Sequence, residues 1–325
     1  MTRLNWFRQR APLRAALAAL LAAAFAAGCE ETQSPDDSAE AEARKARIAA
    51  AYERNDSLDH YRFEGSFAFA AAPDAAAAGI VPTLADGLSW SGVYYRNPLR
   101  LEADIRPGGD ADETAAGDAA RETIPLLVRD GTLFISIPAI NRPDEYLSVR
   151  LEEANGGAAA GVASLVQAAG AVDALAERIF DELDPRWIAP AEPAGAAGGE
   201  RFVAAVTADN ADAMTAAVQA GFAAWARSLP AELGAPALPE GAGIRLAEGG
   251  ALSFALGADG TVAEQLIELA FVSGEDAAEA GTLRYELRLS EANGSPALTK
   301  EAPAATVPLE HVLAFLKAGS GGAEP

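Results

Sequence analysis

Cys29 is the only cysteine in the 325 residues, so the chain holds no intramolecular disulfide and no multi-cysteine metal site. The two histidines, His60 and His311, have no Cys or other His near them at metal-ligand spacing. His60 stands just before an aromatic-rich strand, where a histidine ordinarily serves the core or its rim. Asp110, Asp112 and Glu113, within GGDADE, offer oxygen ligands of the kind calcium takes. They lack the twelve-residue spacing and the terminal bidentate Glu of a dedicated loop. There is no G-x-S-x-G elbow, no phosphate-cradling P-loop and no G-x-G-x-x-G between a strand and a helix. Most remaining acids alternate with apolar residues on strands or fall in loops, as they do on a solvated face. The expectation is a non-enzymatic chain with no catalytic residues, no cofactor and no metal. An enzyme would require a cleft in which His60 or His311 meets a perturbed carboxylate.

The surroundings of Cys29 give its thiol a role. Residues 1–28 carry Arg3, Arg8, Arg10 and Arg14 and no acid, followed by an apolar run from Ala15 to Ala27. That run is shorter than the roughly 20 residues that a membrane-spanning helix needs. Basic start, apolar middle and small residues before a processing point describe a secretory signal peptide. Its end, Phe25-Ala26-Ala27-Gly28-Cys29, resembles the bacterial lipoprotein signal, in which the thiol is acylated and the cysteine becomes the new N-terminus. Ala26 stands where such signals usually carry Leu. The expectation is lipidation of Cys29 and an extracytoplasmic body anchored to the cell membrane. The alternative is an ordinary signal cut nearby, which leaves a free thiol. Cleavage removes four arginines and no acid, so the net charge moves from −22 to −26. Such a surface repels phosphate backbones, which excludes nucleic acid as a partner.

The elements that follow read as one domain. Residues 29–40 are acidic and polar, a flexible tether; 41–318 form the domain and 319–325 a disordered tail. Strong helix formers run from about Ala39 to Arg54, with Ile48 and Tyr52 on one face. Tyr61–Phe69, Leu99–Arg106 and Leu283–Ser290 alternate with period two, which sets one face in a core and the other in water. Asn97-Pro98 marks a turn between strands 88–96 and 99–106. Asp130-Gly131 signals a hairpin between Ile124–Arg129 and Thr132–Ile137, and Asp259-Gly260 another between Ala251–Leu256 and Thr261–Phe271. Helical stripes cover 158–183 and 210–228, the second with Met214, Val218, Phe222 and Trp225. A short helix from Pro308 to Leu316 closes the chain. Gly/Ala/Pro loops at 70–80, 107–120, 190–199 and 229–243 are long for a compact domain, as mobile segments or lids are. The fold class expected is α+β, a curved antiparallel sheet (a half-open β-barrel) with helices covering its concave face.

This order resembles the LolA and LppX/LprG-like superfamily of envelope lipid-binding lipoproteins, especially uncharacterised lipoproteins of Gram-positive bacteria. The likeness lies in Tyr61–Phe69 (YRFEGSFAF) and Leu88–Ile105 (LSWSGVYYRNPLRLEADI). It continues in Leu126–Pro138 (LLVRDGTLFISIP) with Tyr146–Val149, and in Gly281–Leu289 with Val307-Pro308-Leu309. The resemblance implies a cavity between sheet and helices that holds a lipid, an acyl chain or another hydrophobic ligand. The residues expected to line it are Phe63, Phe67, Trp90, Leu101, Ile135, Phe254 and Tyr285 from strands, with Leu165, Val172, Phe222 and Trp225 from helices. The plain alternative for each is core packing. A second function fits the same residues: an envelope interaction or sensory module with a filled core and no ligand.

Overall fold

A computed structural model describes residues 35–71, 87–108, 123–138, 141–142, 144–152, 174–192, 199–228, 245–273 and 278–311. Cys29, the signal peptide, the first part of the tether and the tail lie outside these residues. So do Leu165, Val172, the Asp110–Glu113 cluster and most of the long loops.

Helix α1, Pro35–Asp56, begins ahead of Ala39, inside the stretch read as tether. Proline suits a first helical turn, where its missing N–H is not needed, and Asp37 sits near the positive end of the dipole. Strands β1 (His60–Ala71), β2 (Leu88–Tyr95), β3 (Arg100–Pro107), β4 (Ile124–Arg129), β5 (Thr132–Ile135) and β6 (Glu145–Arg150) follow. Each is antiparallel to the one before it, so they form a six-stranded meander. Asp130 and Gly131 both take positive φ, 51° and 72°, which is the tight hairpin turn that Asp-Gly favours. Helix α2 (174–181) and a 3₁₀ turn (Pro185–Trp187) lead to β7 (Ile188–Ala191) and β8 (Arg201–Ala205). Helix α3 (Ala211–Ser228), β9 (Arg245–Leu246), β10 (Ala251–Leu256), β11 (Val262–Ser273), β12 (Ala278–Ser290) and β13 (Ala305–Pro308) complete the order.

The strand order is β13-β6-β5-β4-β3-β2-β1-β12-β11-β10-β8-β7, with β9 against the end of β11. Two meanders therefore meet at β1 and β12, in a curved sheet that stays open at both edges. The class is α+β, as expected, with one departure from a purely antiparallel sheet: β13 runs parallel to β6. The expected closing helix is displaced for the same reason, since Pro308 ends β13 and helix starts only at residue 309. The second hairpin also differs. Asp259 Oδ1 accepts from Thr261 N (3.1 Å) and Thr261 Oγ1 (2.7 Å), which draws Thr261 into the turn, and β11 begins at Val262.

The register makes the two faces distinct. Partners across an antiparallel ladder share a face, and the sets join from strand to strand. One set runs Val149, Leu133, Val128, Leu101 and Tyr94, then Phe63 beside Leu289. Further along, Phe67, Tyr285, Ile267, Leu252 and Ala204 continue it to Ile188. This inner face is apolar from strand to strand apart from Gln265 on β11. The outer face carries Arg62, Glu64, Ser66, Ser89, Ser91, Glu264, Glu286 and Arg288.

Helix α1 packs on the 3₁₀ turn, β7, β10 and β11, and it buries Ile48 and Tyr52 on one side. Helix α3 presses on β9 and also on α2. Its stripe Met214, Val218, Phe222 and Trp225 is buried, as are Leu175, Ile179 and Leu183 around α2. Burying each large side chain of this kind contributes roughly 1.5–3 kcal/mol.

Candidate functional site

The inner face divides into a helix-covered half and a β1–β6 half in which Tyr61, Trp90, Tyr94, Ile105 and Ile124 are half-buried, while Phe63, Phe67, Leu101, Leu133, Ile135 and Leu147 are buried. Over β7–β12 the interior is filled. Tyr52 meets Phe180 at 5.6 Å and Phe254 at 6.4 Å between ring centroids, and Phe180 meets Phe254 at 5.3 Å. Phe222 and Trp225 pack at 5.0 Å. One polar contact is embedded there: the Tyr52 hydroxyl donates to Gln265 Oε1 at 3.4 Å, with both residues buried. Burial is the first reason that the Tyr52 phenol is held well above its usual pKa, and the carboxylates of Glu177 and Asp181 add to it.

Where the meanders meet, Gly65 on β1 makes room for an indole. A Cβ there would stand 2.6 Å from the Trp90 ring. Trp90 lies over that bare backbone and approaches Tyr285 of β12 at 6.4 Å, so aromatic contact runs across β2, β1 and β12. Toward β6 the inner face continues with Tyr61, Tyr94, Leu289, Ile105 and Ile124, all half-buried and packed against the core. Tyr61 meets Tyr94 at 5.1 Å and Phe63 at 6.2 Å.

All nine described residues of the expected lining belong to this inner surface or to the helices on it. Phe63, Phe67, Leu101, Ile135, Phe222, Trp225, Phe254 and Tyr285 are buried, and Trp90 is half-buried. Trp90 joins Tyr285, Phe254 joins the Tyr52 cluster, and Phe222 joins Trp225; Leu165 and Val172 lie outside the described residues. Sequence reasoning did not name Tyr61, Tyr94, Ile105 or Ile124. Their signal was available, because cross-strand pairing places Tyr61 and Tyr94 with Phe63, and Ile105 and Ile124 with Trp90. The buried Tyr52–Gln265 contact had no local signal, since its partners stand far apart in the chain.

The outer face is crossed by a polar strap, residues 291–304, running from β12 to β13. Asn293 N donates to His60 O (2.8 Å), and Tyr95 Oη donates to Pro296 O (2.7 Å). Glu102, buried to 5 % exposure, then accepts from Thr299 N (2.7 Å), Lys300 N (3.1 Å) and Arg129 Nη2 (3.4 Å). Lys300 pairs with Asp104, and its carbonyl accepts from Arg129 at 2.8 Å. The strap thus touches β1 through β4 in turn and delivers β13 to the edge of β6. Val93 and Leu127 flank Glu102 in the ladders and are each 3 % exposed.

His60 stacks on Tyr95 at 5.1 Å, at the rim of the sheet, and His311 is exposed. Among the described residues no three His, Cys, Asp or Glu side chains gather as a metal site. No described helix is long and apolar enough to cross a membrane.

No protein-family model matches the chain, and no curated protein matches it. Among solved structures it is similar to the lipoprotein LppX of Mycobacterium tuberculosis, at 11% identity over 80% of this chain and 99% of that one, with a TM-score of 0.34. It is also similar to LprF from Mycobacterium bovis, at 9% identity over 85% of this chain and 100% of that one, with a TM-score of 0.31.

Proposed function

We propose that the chain is a lipoprotein of the cell envelope, anchored through acylated Cys29, that binds a hydrophobic ligand such as an acyl chain against the inner face of its sheet. The single observation that carries this reading is the partly shielded apolar surface of Tyr61, Trp90, Tyr94, Ile105 and Ile124. It continues an apolar face whose other half is already filled by α1, α2 and α3. Apolar surface of that kind is retained where a ligand completes the burial. The residues assigned to ligand contact are Tyr61, Trp90, Tyr94, Ile105 and Ile124, with Phe63, Phe67, Leu101 and Ile135 beside them; Tyr285, Phe254, Phe222 and Trp225 back that surface from the filled half, and Leu165 and Val172, outside the described residues, complete the expected lining. No residue is assigned to catalysis, and no cofactor or metal is needed.

The test is native mass spectrometry of the chain purified from a lipid-containing host, followed by solvent extraction and analysis of what is released. A co-purifying lipid at a defined stoichiometry is expected, and Trp90→Ala should lower its occupancy. Protein that comes out empty and also ignores fluorescent fatty-acid probes overturns the reading. The second reading is an interaction module with a filled core. It draws on the interlocked Tyr52, Phe180 and Phe254 rings, and it predicts crosslinks to one envelope protein and no lipid.

A further inference from the structure

Helix α1 ties the anchor to one end of the body. Arg44 Nε donates to Ile188 O on β7 at 2.9 Å, and Lys45 Nζ donates to Asp181 O (2.8 Å) and Leu183 O (2.6 Å). Only at the far end of the helix does Arg54 reach Gly260 O, at 2.9 Å. Ala41 is buried against the body while Asp37–Glu40 are exposed. Five residues separate Cys29 from Pro35. At about 3.5 Å per extended residue and 1.5 Å per helical one, Cys29 stays within about 30 Å of Ala41. The end of the body that carries the 3₁₀ turn and β7 is therefore the end held close to an anchoring bilayer.

That end bears a hollow of about 440 Å³ between Arg186, Trp187, Ala189, Ala205, Thr207 and Asp209. Ala189 and Ala205 keep its floor low. Trp187 is half-buried at its side, and Asp209 is exposed. The loop beneath is fixed by Asn210, whose Oδ1 accepts from Thr207 N (2.8 Å) and whose Nδ2 donates to Ala205 O (3.0 Å). Asp184 holds the Arg186 fork through Nε (2.9 and 3.1 Å) and Nη2, which leaves the Nη1 donors outside that pair. The hollow thus combines an indole, a guanidinium and a carboxylate. Indoles favour the headgroup level of a bilayer, and guanidinium suits phosphate.

We propose that this hollow takes the headgroup of a zwitterionic phospholipid in the anchoring membrane, with phosphate at Arg186, ammonium at Asp209 and Trp187 at the glycerol level. A body of net charge near −26 is repelled by an anionic surface, whereas a zwitterionic headgroup offers a partner both to the Nη1 donors of Arg186 and to Asp209. The proposal rests on the anchor reading of Cys29.

The test uses the full chain with its lipid anchor, reconstituted in phosphatidylcholine/phosphatidylethanolamine vesicles, with and without bromine on the acyl chains. Flotation reports the anchor, and the difference between wild type and Trp187→Phe isolates the emission of Trp187. Bromolipid is expected to quench that component about twofold, as it does an indole at the interface. Arg186→Gln and Asp209→Asn, both at exposed positions, are expected to reduce the quenching without changing flotation. Protein that floats while wild type and Trp187→Phe are quenched to the same fraction overturns the docking and leaves the anchor standing. Protein that does not float overturns both.

Discussion

Glu102 shows how one side chain holds a distant segment. Its carboxylate is buried on the outer face, where an isolated charge is costly, yet it accepts two backbone N–H bonds from the strap and a bond from Arg129. Hydrogen bonds to an ionised group contribute about 1.5–3 kcal/mol each before the cost of burial. Glu102→Ala strands Thr299 N and Lys300 N, and a loss of about 2–3 kcal/mol is expected in urea unfolding. Glu102→Gln, which keeps one acceptor, should lose less; equal losses for the two would refute the role of the carboxylate. Glu177 makes the opposite case. Burial, then Asp56 and Asp181, raise its pKa above the usual 4.5, and only Arg178 opposes them. Since the folded value exceeds the unfolded one, the folded chain prefers the protonated acid. The destabilisation from ionising it grows as pH rises from about 4.5 through the raised value and stays constant above. Glu177→Gln should therefore stabilise the protein at pH 7, by a few tenths of a kcal/mol after solvent screening, and make no difference below pH 4.5. A thermal-melt series across pH reads the difference.

At the scale of elements, α1 is attached by polar groups as much as by its apolar face. Lys45 caps the last carbonyls near α2, which also suits the negative end of that helix. The Asn55 amide exchanges two bonds with the backbone of Val262, at 3.0 and 3.1 Å, in the manner of a strand partner. Helix α3 approaches α2 over Gly221, where a Cβ would stand 2.5 Å from Ile179 Cα. Gly221→Val must push the two helices apart, and a cost of about 1–3 kcal/mol is expected, the range for overpacking a filled core. A variant that melts with the wild type would show that the helices separate freely. The strands with strict alternation, β1, β3 and β12, were legible in the sequence because period two needs no knowledge of partners. The helical stripes around Phe222 and Ile179 were legible for a similar reason. Strand β13 and the strap were not. EANGSPALTKEAP is polar and turn-rich, and it takes its place only because Glu102, Tyr95 and Arg129 await it on strands remote in sequence. The lining set was legible as a face, whereas the division between filled and partly shielded halves depends on where helices land.

At the scale of the molecule, one chain crossing and one join explain why two meanders behave as one body. Helix α2, which precedes β7 in the chain, packs on the inner side. Between β12 and β13 the chain crosses the outer side as the strap. The meanders themselves join along an unbroken ladder from Arg62↔Ser290 to Ala71↔Gly281, and Trp90 bridges that join over Gly65 to Tyr285. A core continuous across the join predicts a single cooperative transition. Near-ultraviolet dichroism of Trp90 at the join and of Trp225 in the helical half should then give coincident curves, each taken as the difference between wild type and that tryptophan's own Trp→Phe variant. Gly65→Ala tests the coupling directly. The added methyl would sit 2.6 Å from the indole and 2.9 Å from Glu286 O, so Trp90 must leave its place against Tyr285. The expected cost is about 1–3 kcal/mol, with the transition of the β1–β6 half moving below that of the helical half. Coincident curves in Gly65→Ala, displaced equally from wild type, would mean that the β1–β12 ladder couples the meanders without the aromatic bridge. Curves that already separate in the wild type would mean that the meanders fold as independent units.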